Sequence, residues 1–135
     1  MNSFRLHIFA ADRVFFEGDC VSLIVPTNQG QYGVQAHHSN MIAALVPGML
    51  TYRLPEGESR NAAVSAGMIK VEANDVLVLV DAAERPEDID AIRARRKADE
   101  AREILLQKRS QQEYRTAEAT LARALNRLRV KDHQG

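Results

Sequence analysis

At 135 residues and 15.1 kDa the chain has the size of one ordinary domain or of two small units on one polypeptide, which excludes a large multi-domain enzyme. A composition 45% hydrophobic and 27% charged predicts a folded globular protein. No apolar run nears the roughly 20 residues of a membrane-spanning helix, and the N-terminus lacks the apolar core of a signal peptide. The single cysteine, Cys20, excludes an internal disulfide or a Cys-based zinc site, and the net charge of zero argues against a generic nucleic-acid binder.

That zero conceals two halves. Residues 1–84 carry five basic and nine acidic side chains and residues 85–135 thirteen and nine, so the halves hold −4 and +4. Every proline lies at or before Pro86, and six of the seven aromatics lie before Glu84. A boundary is expected near Glu84 to Pro86, with a domain over 1–84 and another over 85–135.

The first half reads as strands. Phe4, Leu6 and Ile8 alternate with Arg5 and His7, and Val21 to Val25 is a short buried-type run ended by Pro26. Gly30, Gly33, Pro47-Gly48 and Pro55-Glu56-Gly57 punctuate the rest of this half. Met68 to Val71 and Val76 to Val80 form the clearest hairpin, turning through Ala73-Asn74-Asp75. About eight or more short strands predict a small sandwich or flattened barrel.

The second half reads as two helices. Pro86 suits a first helical turn, and Glu87, Asp88 and Asp90 complement the positive end of the dipole. Ala91, Ala94, Ala98, Ala101 and Leu105 make a narrow small-residue stripe, and Tyr114, Ala117, Leu121, Leu125 and Leu128 a bulkier one. Polar Arg109-Ser110-Gln111-Gln112 is the expected turn of an antiparallel pair. A stripe of alanines buries little apolar area, so the hairpin is expected to be weakly held and mobile.

Few residues carry chemistry. No Walker-A sequence occurs, adjacent His37 and His38 would point to opposite faces if extended and so make poor co-ligands for one metal, and Cys20 has no base positioned beside it in sequence. Asp90, Arg93 and Ala94 on the first helix and Arg123 with Arg127 on the second form one constellation. The two arginines are four apart, on one helix face, where their planar forks can converge on phosphate oxygens, and the two groups fall level across the hairpin. The same spacing also describes a solvated basic strip, and spacing alone favours that reading.

The chain resembles the epsilon subunits of bacterial F-type ATP synthases along essentially its whole length. The stretches that carry the likeness are Phe15-Phe16-Glu17-Gly18 before Val21 to Pro26, Gly30-Gln31-Tyr32-Gly33-Val34 leading to His38, Leu45-Val46-Pro47-Gly48-Met49-Leu50, Ser65 to Val71, and Val76 to Glu84. The resemblance implies an N-terminal flattened β-sandwich followed by a C-terminal two-helix hairpin. It implies a non-catalytic rotor subunit of the central stalk, bound to the gamma subunit and to the polar loops of the c-ring. Such a subunit couples ion translocation to ATP synthesis, peripheral to the cytoplasmic face of the bacterial membrane and not inserted in it. The hairpin would lie folded, or extend toward the alpha and beta subunits of the catalytic head and inhibit ATP hydrolysis.

Some members of that family bind ATP through an Ile/Leu-Asp-x-x-Arg-Ala motif, present here as Ile89-Asp90-Ala91-Ile92-Arg93-Ala94. By the same resemblance Arg123 and Arg127 fall at the second-helix ligand positions, Glu84 contacts the base, and no cofactor is required beyond ATP as a regulatory ligand. Gln31 and His38 are assigned to the c-ring loop, although Gln31, Ala36 and Asn40 depart from the family's usual residues there, as does Ala66-Gly67 from its paired glycines. Two rival readings stand beside this one: a purely structural coupling subunit without ATP binding, and an unrelated β-sandwich adaptor with a coiled-coil docking arm. A nucleotide-hydrolysing enzyme lacks the phosphate loop, metal cluster and nucleophile it would need.

Overall fold

The computed structural model describes residues 2–107 and 110–133. Among these, ten strands precede a 3-10 turn and two helices, and the chain divides into two compact units between Glu84 and Arg85. The strands are β1 Phe4–Ala10, β2 Arg13–Cys20, β3 Ser22–Thr27, β4 Gly30–Gln35, β5 Met41–Leu45, β6 Gly48–Arg53, β7 Ser59–Val64, β8 Gly67–Glu72, β9 Asp75–Val80 and β10 Ala83–Glu84. They form two five-stranded sheets, ordered β2-β1-β9-β8-β5 and β10-β7-β6-β3-β4, so the sandwich expected from the strand pattern is the fold adopted.

Alternation builds the core. Phe4, Leu6 and Ile8 of β1 are buried, as are Val76 and Val78 of β9 beside them and Leu23 and Val25 of β3 in the other sheet. β1 and β9 pair in parallel, which brings the start of the chain onto the last hairpin of its sheet. Every residue of the main core cluster lies between Phe4 and Ala83.

The β8–β9 hairpin turns on two residues, Ala73 and Asn74, both left-handed at φ 52° and 64°. That backbone is the two-residue turn whose twist matches the flanking strands. Asp75 is not in the turn but already in β9. Nor does Pro26 end its strand: it stays in β3, in register with Gln31. The pairing of β3 with β6 stops at Ile24, so the proline's missing N–H costs no ladder bond on that side.

The helical unit begins with a 3-10 turn, Pro86–Asp88, instead of a first α-helical turn. Ile89 and Asp90 are extended, and helix α1 runs Ala91–Leu106 with Asp90 as its N-cap. Helix α2 runs Gln111–Asp132 from an N-cap at Ser110, so Gln111 and Gln112 are helical. Arg109, also expected in the turn, lies outside the described residues.

Ala94, Ala98 and Ala101 of α1 are buried as expected, but the α2 stripe is corrected. Of that stripe Ala117 is buried and Leu121 and Leu128 are half-buried, whereas Tyr114 and Leu125 are exposed, and Ala124 and Val130, which the expected stripe omits, are buried. Facing alanines let two helices approach closely, so the leucines that look like the seam from their size sit at its flanks or outside it.

Candidate functional site

Asp90 organises the start of α1. Its Oδ1 accepts the Arg93 backbone N–H at 3.0 Å, satisfying one of the helix's unpaired donors. This capping carboxylate sits where the helix dipole is positive. Arg93 is exposed one turn in, while Ala94 is buried against α2 and Ile89, only 4% exposed, is a packing residue of the turn.

On α2, Arg123 is exposed and its Nη2 donates to Thr120 Oγ1 at 3.2 Å, one helical turn back. Arg127 is half-buried. A bond joins the hairpin at its open end, where Lys131 Nζ donates to the Pro86 carbonyl at 3.0 Å. That bond sets the end of α2 beside the turn that precedes α1. Within the helices, Lys97 and Thr120, Ala101 and Thr116, and Ile104 and Glu113 line one groove of about 480 Å3, and carrying that register back toward the start of α1 brings Ala94 near the level of Arg123. None of the expected nucleotide residues lines that groove.

Asp90 and Arg93 thus stand at the start of α1, and Arg123 and Arg127 in the second half of α2. Glu84 belongs to the other unit, on β10, where it pairs with Ala63 of β7.

In the sandwich, Gln31 is exposed on edge strand β4, opposite Pro26. His38 follows that strand and is held at both ring nitrogens: Nδ1 donates to the Ser39 carbonyl at 2.7 Å, which leaves Nε2 to accept the Tyr32 hydroxyl at 2.8 Å. Tyr32 also stands edge-on to the imidazole. The loop is fastened from below by Asn74, whose Oδ1 accepts the His37 N–H at 2.8 Å and whose amide donates to the Ser3 carbonyl at 2.9 Å. Asn40 Oδ1 accepts the Ala73 N–H at 3.2 Å, tying the same loop to the same turn.

Nothing in the sequence marks Tyr32, Asn74 or Lys131 as a site residue. A Tyr six residues before a His carries no periodicity signal, and the Lys131 contact spans 45 positions. Arg123 with Thr120, by contrast, is a pair at helix spacing.

The outer face of the first sheet carries an apolar row. Val14, Phe9, Leu79, Met68 and Ala44 are register neighbours across all five strands, with Val14 57% and Leu79 37% exposed. Ile42, Lys70, Leu77, His7 and Glu17 form the next row, with Ile42 68% exposed. Within it His7 Nδ1 meets Glu17 at 2.7 Å and Nε2 meets Asp75 at 3.1 Å. Cys20 is fully buried, and burial beside Asp19 pushes its thiol up to about 11, so it is no nucleophile at neutral pH. Among the described residues no cluster of three or more His, Cys, Asp or Glu could hold a metal ion, and no helix is long and apolar enough to cross a membrane.

Residues 3–86 match the family described as ATP synthase, Delta/Epsilon chain, beta-sandwich domain, and residues 87–132 its long alpha-helix domain. An ATP synthase epsilon chain from Caldanaerobacter subterraneus subsp. tengcongensis is 38% identical over 95% of this chain and 93% of its own. One from Shouchella clausii is 33% identical over 100% and 99%. Among solved structures, a chain of the Euglena gracilis mitochondrial ATP synthase (OSCP/F1/c-ring) superposes with a TM-score of 0.75 at 21% identity, covering 98% of this chain and 79% of that one. A chain of the Tetrahymena thermophila mitochondrial ATP synthase central stalk/c-ring gives 0.68 at 13%, covering 94% and 95%. At those identities the likeness is one of fold.

Proposed function

The chain belongs to the ATP synthase delta/epsilon family across both its domains, and from that membership we propose that it is a non-catalytic rotor subunit whose helical hairpin senses ATP. In this reading the sandwich couples ion translocation to ATP synthesis at the foot of the central stalk, bound to the gamma subunit and the polar loops of the c-ring. It works peripherally at the cytoplasmic face of a bacterial membrane. The apolar row from Val14 to Ala44 supports a protein partner, because an exposed apolar strip spanning five strands is what an interface core covers. Gln31 and His38, on and beside the edge strand, are the residues we assign to the c-ring loop.

The observation that carries the ATP-sensing part is the antiparallel register of the helices, which brings the Arg123 turn of α2 toward the Asp90–Ala94 start of α1. Guanidinium groups from two helices suit a polyphosphate, whose oxygens their planar forks can take in pairs. Ile89 and Ala94 contribute by packing, as small or buried residues beneath the charged ones.

ATP bound only by the folded hairpin would stabilise that form by RT ln(1 + [ATP]/Kd) and withdraw an inhibitory arm from the alpha and beta subunits when ATP is plentiful. The test is calorimetric titration of ATP, with and without magnesium, into the intact chain and into the Arg123→Ala/Arg127→Ala variant. Saturable binding weakened about tenfold or more in the variant is expected, which corresponds to about 1.4 kcal/mol per decade. No binding at millimolar ATP, checked by NMR shifts in case the heat is near zero, would leave a structural coupling subunit.

A further inference from the structure

The fully buried positions of the two helices are almost all alanine. Ala94, Ala98 and Ala101 of α1 and Ala117 and Ala124 of α2 are the buried seam, and small side chains resist neither sliding nor splaying. The open end differs. There Val130 is fully buried, the 3-10 turn packs on α2, and the Pro86 carbonyl accepts two donors, the Ile89 N–H at 3.2 Å and Lys131 Nζ at 3.0 Å. The acceptor is firmly set, since Pro86 is itself buried and its carbonyl already closes the 3-10 turn with the Ile89 N–H. A charged donor on a carbonyl that is partly shielded from water makes one of the stronger bonds available to so thin a hairpin.

Resting on the nucleotide reading of this end, we propose that Lys131 is a positioning residue that latches α2 to the Pro86 carbonyl and thereby sets where Arg127, one turn back, stands relative to the start of α1. Lys131 stands one turn beyond Arg127 on the same face of α2. On the other side, Ile89 links Pro86–Asp88 to the Asp90 cap, so the acceptor of the latch and the cap of α1 belong to one short, packed segment. Lys131 itself touches no nucleotide in this scheme. It fixes how far α2 has slid along α1, and thus whether cationic groups from both helices face one phosphate chain.

The experiment compares the intact chain with Lys131→Met, which keeps the stem and removes the donor, and Lys131→Arg, which keeps a cationic donor. Amide hydrogen exchange is read without nucleotide, and ATP affinity by calorimetry. In Lys131→Met, exchange at Ile89 and over 126–132 is expected to accelerate about fivefold or more, with 98–101 unchanged, and ATP Kd to rise about fivefold. Lys131→Arg should restore most of both. Unchanged exchange in Lys131→Met would overturn the latch. Faster exchange with unchanged Kd would reduce Lys131 to a tether and overturn its positioning role. If the unaltered chain binds no ATP, the nucleotide reading fails and the positioning role with it, while exchange still decides whether the latch exists.

Discussion

His7 holds two carboxylates on strands either side of its own, Glu17 on β2 and Asp75 on β9. Its pKa is raised above 6.5: the Glu17 hydrogen bond acts most strongly, partial burial offsets some of it, and Asp75 adds to the rise. A raised folded-state value favours the native state fully below about pH 6.5, and the benefit is lost as pH climbs through that higher value. The stability difference between the intact chain and His7→Gln should therefore shrink from pH 6 to pH 8 in chemical denaturation, and NMR titration of the His7 ring should place its midpoint above 6.5. A difference that grows with pH would contradict the pairing. At Asp90 the cap and the proposed ligand roles separate by substitution. Asp90→Ala removes the acceptor and should cost the hairpin about 0.5–2 kcal/mol in thermal melts followed at 222 nm, whereas Asp90→Asn keeps the cap and removes only the charge. Loss of ATP binding in the asparagine variant without loss of helix stability would mark the carboxylate as part of the site.

At the scale of elements, close approach decides what is tolerated. A Cβ on Gly67 would collide with the Leu79 carbonyl across the β8–β9 ladder, a backbone atom that cannot step aside. Gly67→Ala is expected to cost about 1–3 kcal/mol or more in denaturant unfolding, although this glycine needs no unusual φ. In the hairpin, Ala98→Leu should likewise destabilise, by about 1–3 kcal/mol, because the seam has no room for the branch. A stabilised Ala98→Leu would mean that the helices stand further apart than their buried alanines indicate. The strands were legible from alternation, and so was the β8–β9 turn, since Asn tolerates the left-handed angle. The α2 seam was not. Periodicity marked the right helix and found Ala117, but leucine size drew the stripe toward Tyr114 and Leu125, and only the alanines facing it from α1 decide that Ala124 and Val130 are inward.

For the molecule as a whole, the core cluster is supplied entirely by residues up to Ala83, and the two matched domains meet at residues 86 and 87. A fragment of residues 1–86 should therefore fold alone and unfold cooperatively, with the near-ultraviolet signature of the intact chain's sandwich. A fragment that lacks a sigmoidal transition would show that the sandwich depends on the helices.

The amino-acid order alone determined the two-part division, the sandwich and hairpin types, and the nature of the groups at the hairpin's open end. Those properties are local, written in alternation, helical periodicity, turn residues and the split of charge between the halves. The Asn74 anchor, the Tyr32 hold on His38, the His7 bridge and the Lys131 bond to Pro86 were decided by tertiary structure. Each joins residues through a fold-dependent approach of backbone or side chain that no repeating pattern encodes, and a polar contact of that kind exists only once the apolar core has set the distances.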